Sequence, residues 1–129
     1  MYAIDANTGI LTALATPTVA AGTSSSSIAV NPAGTFAYVA NWGSDTVSMY
    51  AIDASSGQLT ALATPTIDTG HNPASIAVNP AGTFAYVADY HTIANTVSMY
   101  AINATTGVLA ALATPRVAAG DGPNSIAFK

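Results

Sequence analysis

Few side chains in this sequence could do chemistry, and most of those that could fall in a handful of loop positions. His71 and His91 are the only histidines in the 129 residues. Together with Asp89 they have the donor types that hold a divalent metal, imidazole nitrogen and carboxylate oxygen. The same three residues also read as solvated loop positions, which requires no metal and no cofactor. Trp42 and Tyr90 stand at equivalent places just after a repeated FAYVA segment. Their flat faces could form a shelf for a sugar or peptide, or they could cap the space between neighbouring elements. With Asn72 and Asp121 they complete the candidate ligand-binding set: Trp42, His71, Asn72, Asp89, Tyr90, His91 and Asp121. No catalytic residue is assigned. The serine run at 24–27 has no histidine in its own repeat to activate a hydroxyl, so a Ser-His-Asp arrangement is not expected. The absence of cysteine removes disulfides, thiolate zinc sites and a Cys nucleophile. Asn103-Ala104-Thr105 matches a glycosylation acceptor, a tripeptide common by chance.

These residues are distributed over a tandem repeat. Met1, Met49 and Met99 each open a copy of MYAI(D/N), so the copies are 1–48, 49–98 and 99–129. A two-residue insertion near His91 lengthens the second copy. Each full copy holds four extended segments. SIAV (27–30) ends at Asn31-Pro32-Ala33-Gly34, a tetrapeptide suited to a type I turn. FAYVANW (36–42) follows, then TVSMYAI (46–52), then a loop beginning Asp53 and ending Gly57. The fourth segment, LTALATPTI (59–67), carries Pro65 and so belongs at a sheet edge or a bulge. Calling the segments a, b, c and d, segments b and c are apolar on both faces. Sheets covered on both sides read this way. The expected fold is therefore all-β, a β-propeller of four-stranded antiparallel blades, forming one repeat domain over 1–129.

In such a blade the d-to-a and b-to-c connections emerge on one face, and the a-to-b and c-to-d connections on the other. Between copies, the variable residues lie in AAGTSSSS, DTGHNPAS and AAGDGPNS, and in NWGSD and DYHTIAN. All of these are on the first face, where the candidate residues also lie. Asp5, Asp53 and Asn103 recur on the opposite face at the start of the c-to-d loop and are expected to cap turns.

Composition narrows the partners. Half of the residues are hydrophobic but only 6% are charged, with a net charge of −4. So little charge leaves little to keep surfaces apart. One arginine, Arg116, and one lysine, Lys129, cannot make a stripe that tracks nucleic acid. The longest apolar runs are about five residues, as in 36–40, too short for a membrane helix. The N-terminus lacks the basic and apolar regions of a signal peptide. An extracellular or cell-surface location, where Ser, Thr and Asn suffice for solubility, is the expectation.

The stretch FAYVANWGSDTVSMYAIDASSGQL resembles the YVTN-type repeat of bacterial and archaeal propellers. It is also similar to the repeats of seven-bladed, lactonase-like propellers of the 6-phosphogluconolactonase type. The resemblance covers essentially the whole chain and implies the blade fold and, as an activity, lactone hydrolysis. A sugar-phosphate lactonase should bind its phosphate through a basic cluster, which Arg116 and Lys129 do not supply.

Strands counted along the sequence run c-d, a-b-c-d, a-b-c-d and a final a, eleven in all and fewer than a closed ring needs. The ends expose strand edges, of the kind that recruit another chain. Met1, Tyr2, Ala3 and Ile4 at one end, and Ser125, Ile126, Ala127 and Phe128 at the other, are the expected self-association residues. The main functional expectation is a non-enzymatic, self-assembling scaffold with a binding face for a small molecule or sugar, completed head-to-tail into a ring or fibre. The alternative is a C-terminal part of a seven-bladed lactonase-like hydrolase.

Overall fold

The computed structural model describes residues 1–91 and 95–128. Its regular elements are ten strands: β1 (Tyr2–Ile4), β2 (Leu11–Ala13), β3 (Ser25–Val30), β4 (Phe36–Asn41), β5 (Thr46–Ile52), β6 (Leu59–Asp68), β7 (Pro73–Val78), β8 (Phe84–Asp89), β9 (Thr96–Ile102) and β10 (Leu109–Ala118). Strands β3–β6 form one four-stranded sheet in chain order, and β7–β10 form a second. They are blades I and II, with a, b, c and d in the expected places. The hairpin β1–β2 supplies strands c and d of a preceding blade.

Local chemistry explains the turns. At the a-to-b turn, Asn31 O accepts from Gly34 N at 2.8 Å, and Asn31 Oδ1 accepts from Thr35 N and Phe36 N at 2.9 Å each. Gly34 takes a φ of 69°, which a side chain would disfavour. Asn79 repeats the arrangement in blade II. In the c-to-d loops, Oδ1 of Asp5, Asp53 and Asn103 accepts backbone N–H groups two and three residues ahead. An amide serves as well as a carboxylate there, so the position caps a turn. The hydrogen bonds hold Asp5 and Asp53 below the ordinary carboxyl range, led by Thr8 N–H and by the Ser55 hydroxyl respectively.

Pro65 sits at both of the tolerated kinds of place. Strand β6 is an edge strand, and its pairing jumps from Ala61↔Tyr50 to Thr66↔Ser48, a bulge that contains the proline. Strands β4 and β5 are buried on both faces, and Tyr38, Val47, Met49, Val87, Tyr100 and Leu109 meet in a core between the blades.

The blades interlock through a repeated set of contacts. Along strand c, Met points to the following blade and the adjacent Tyr to the preceding one, as the two-residue strand period requires. Met49 Sδ accepts from Leu109 N at 3.3 Å, and Met1 Sδ from Leu59 N at 3.2 Å. Tyr50 Oη donates to Ala20 O, and Tyr100 Oη to Asp68 O, both at 2.7 Å. Tyr38 Oη donates to Gly107 O at 2.9 Å, and its burial pushes the phenol pKa up to about 12.

Segment 123–128 departs from the expected count of eleven strands. It carries no strand pairing among the described residues, because no strand b stands beside it, and Lys129 lies outside those residues. It nevertheless stands where a following blade's strand a would. Ile126 N donates to Ser75 Oγ at 3.3 Å, as Ile76 N does to Ser27 Oγ one blade earlier. Phe128 meets the edge of Tyr86 at 5.4 Å.

Candidate ligand-binding face

Three connections meet where blade I joins blade II: the two b-to-c links and the d-to-a link between β6 and β7. Their organising residue is Asp45. Its φ of 54° turns the chain in the left-handed region that Asp and Asn tolerate. Its carbonyl accepts from Thr69 N at 3.0 Å, its Oδ1 accepts from Asn72 N at 2.8 Å, and its Oδ2 lies 2.9 Å from His71 Nδ1. The Asn72 N–H is the main reason its carboxyl is held below the usual range; burial opposes this and the His71 contact adds to it.

Asn72 then ties the two aromatic links together. Its Nδ2 donates to Trp42 O at 3.2 Å, and its own carbonyl accepts from Tyr90 N at 3.2 Å. The Trp42 and Tyr90 rings stack with centroids 5.5 Å apart and 29° between planes. The His71 and His91 rings lie 4.7 Å apart, and His91 N donates to Asn95 Oδ1. With Nδ1 of His71 against a carboxylate, Nε2 is the nitrogen left for a further hydrogen bond, on a side chain 68% exposed. Trp42, His71, Asn72, Tyr90 and His91 are thus brought together. Asp121 stands exposed on the next d-to-a link; its neighbour Gly122 lies beside Tyr90. The two-residue insertion expected near His91 lies in the b-to-c link at 92–94, outside the described residues.

Asp89 is not on this face, which corrects its place among the candidate ligand-binding residues. It is fully buried at the end of β8. Its carboxyl accepts from Thr69 Oγ1 at 2.7 Å, Ser98 Oγ at 2.6 Å and Thr96 Oγ1 at 3.1 Å. These three donors occupy three of the carboxylate's roughly four lone-pair sites, and no group of three His, Cys, Asp or Glu suited to a metal occurs among the described residues. Asn41 is the same position in blade I, bonded to Ser25, Thr46 and Ser48.

Arg116 takes part in the same network. Its Nε donates to Ser98 Oγ at 3.2 Å and its Nη2 to Thr69 O at 2.6 Å. Blade I has Thr66 in that place, paired across the sheet with Ser48 as Arg116 is with Ser98. The acidic and basic residues therefore enter together in blade II, and neutral residues fill both positions in blade I.

Asp45 was absent from the sequence-derived set. The one signal for it was its alignment with Asn95, the residue before strand c in the other full copy. Both carbonyls accept from the next d-to-a link, Thr69 N and Ala119 N, at 3.0 Å.

The family model of the seven-bladed β-propeller lactonases matches residues 1–128. The chain belongs to this lactonase family. Its blades also superpose on solved structures. A candidate 6-phosphogluconolactonase from Bacteroides uniformis aligns with a TM-score of 0.83 at 20% identity, over 99% of this chain and 37% of that one. A functionally unknown protein from Desulfotomaculum acetoxidans aligns at 0.72 with 27% identity, over 84% of this chain and 32% of that one. Hydrazine synthase from Kuenenia stuttgartiensis aligns at 0.64 with 28% identity, over 93% and 30%. This lactonase-family chain thus spans about a third of the length of the structures it matches. No curated protein matches it. The range of names among these neighbours shows how little the blade itself dictates activity.

Proposed function

We propose that the loops at the junction of blades I and II bind a neutral, sugar-sized ligand of the sugar-lactone class, and that a phosphorylated sugar is not accepted. The carrying observation is the convergence of Trp42, Tyr90, His71, His91 and Asn72, organised by Asp45, on one exposed face. Aromatic rings give sugar C–H groups an apolar surface, and imidazole, amide and carboxylate groups exchange hydrogen bonds with hydroxyls. A phosphate calls for clustered cations. Arg116 is already engaged by Ser98 and Thr69, at the far edge of blade II. Family membership makes a lactone the ligand class to try first. His71, oriented by Asp45, is the group placed to accept a proton from water if the bound lactone is hydrolysed.

Calorimetric titration of the chain with gluconolactone and with its 6-phosphate tests this reading. Binding of the neutral lactone, weakened at least ten-fold by His71→Ala, is expected, with no heat from the phosphate. Tighter binding of the phosphate would refute the proposal.

A further inference from the structure

We infer that Arg116, on the outer strand of blade II, is a positioning residue for the candidate ligand-binding face: together with Asp89 it fixes the link from which His71 and Asn72 project. The inference rests on the reading of that face as a sugar-lactone site. His71 and Asn72 directly follow a short stretch of backbone that is held from several strands at once. Thr69 N donates to Asp45 O at 3.0 Å, Thr69 Oγ1 to Asp89 Oδ1 at 2.7 Å, and Gly70 N to Ser98 Oγ at 3.2 Å. Arg116 Nη2 donates to the Thr69 carbonyl at 2.6 Å. One residue earlier, the Asp68 carbonyl accepts from Tyr100 Oη at 2.7 Å. Strands β8, β9 and β10 and a loop of blade I therefore all grip residues 68–70.

Arg116 and Asp89 supply the charged part of this anchor. The guanidinium is a planar fork: while Nη2 reaches Thr69 O, Nε donates to Ser98 Oγ at 3.2 Å. Ser98 Oγ in turn donates to Asp89 Oδ2 at 2.6 Å, and Oδ1 of the same buried carboxylate takes the Thr69 hydroxyl. The carbonyl of Thr69 is thus held by a cation and its hydroxyl by an anion, joined through one serine. Hydrogen bonds of this kind are stronger than those between neutral groups. The His71 side chain itself is largely exposed, and its Nδ1 meets Asp45 Oδ2 across the blade junction. Where its backbone stands decides whether that contact forms.

Blade I shows that the sheet does not require this anchor. The places of Thr69, Asp89 and Arg116 there hold Ala21, Asn41 and Thr66. Ala21 has no hydroxyl to offer, and the Asn41 amide bonds Ser25, Thr46 and Ser48 within its own blade. The four strands nevertheless stand in the same order, and Tyr50 Oη reaches the Ala20 carbonyl as Tyr100 Oη reaches that of Asp68. The link of blade I carries Thr23 where that of blade II carries His71. The three anchoring residues thus enter together on the link that bears the histidine. Their work lies in the link rather than in the blade.

Amide hydrogen exchange and gluconolactone titration of an Arg116→Gln variant test the inference. Exchange at the Thr69, Gly70 and Asn72 amides, followed by NMR, should quicken about five-fold or more. Affinity for gluconolactone, read from Trp42 emission, should fall about three- to ten-fold. Tyr38→Phe is the control, since it removes an inter-blade hydrogen bond to Gly107 on the opposite face and should leave both readouts at wild-type values. Thr69→Val keeps the shape of the side chain without its hydroxyl and should behave as Arg116→Gln does, while Thr69→Ser should match the wild type. That pair decides the matter if Arg116→Gln does not fold. A wild type that does not bind gluconolactone would refute the binding reading, and exchange at the link would still decide the anchoring. Wild-type exchange at the link in Arg116→Gln, wild-type affinity despite faster exchange, or the same changes in Tyr38→Phe would overturn the inference.

Discussion

At the residue scale, the exchange of Asn41 and Thr66 for Asp89 and Arg116 is the sharpest difference between the two full blades. Buried polar groups are costly only when left unpaired. Asp89→Ala would strand the hydroxyls of Thr69 and Ser98 and should cost about 2–4 kcal/mol in chemical denaturation. The double change Asp89→Asn with Arg116→Thr reproduces the pairing of blade I. It should cost less than the sum of its single changes, by about 1 kcal/mol or more. Strict additivity would mean that the acid and the base are not coupled through Ser98. Asp45 makes a different prediction. Its carboxyl is held low chiefly by the Asn72 N–H. A depressed folded-state value contributes stability that is fully present above the unfolded value near 3.9 and is lost as pH falls through the folded value. Trp42 emission should therefore show an acid step below about pH 4 that Asp45→Asn removes. Little of this was legible in the sequence. Asp89 stood beside Tyr90 in a loop-like string, and only its three hydroxyl partners, one of them twenty residues upstream, show that it turns inward. Asp45 has no distinctive neighbours in sequence, and its importance arises from a contact with another blade.

At the element scale, the d-to-a links at Gly22 and Gly70 cross the end of the next blade's strand b with no room for a side chain, whereas Gly120 on the third link meets nothing. A Cβ on Gly70 would fall 2.4 Å from Asp89 Oδ2, and one on Gly22 would fall 2.7 Å from Asn41 Cγ. Gly70→Ala should destabilise by about 1–3 kcal/mol through overpacking, and Gly120→Ala should stay within about 0.5 kcal/mol. Equal effects at the two sites would contradict the packing described. Strands and turns were the most legible level. The Asn-Pro-Ala-Gly turn, the capped c-to-d loops and the proline-bearing edge strand each have a local chemical cause, and each stands where its residues indicated. Segment 123–128 has the sequence of a strand and lacks the pairing of one, since a strand needs a neighbour that local sequence does not supply.

At the scale of the whole molecule, the repeat determines which face gathers the variable loops, and that face holds the candidate site. The same logic ties the blades together: Tyr100→Phe removes one inter-blade hydrogen bond and should cost about 1 kcal/mol without altering the sheets. The chain contains a single tryptophan, and it lies at the site. Its emission therefore reports directly on the claim that this face binds a neutral sugar lactone. Titration with gluconolactone should change Trp42 emission saturably, the 6-phosphate should leave it unchanged, and Tyr90→Ala should weaken the response. A Trp42 signal that stays flat with the neutral lactone, or that saturates only with the phosphate, would contradict it.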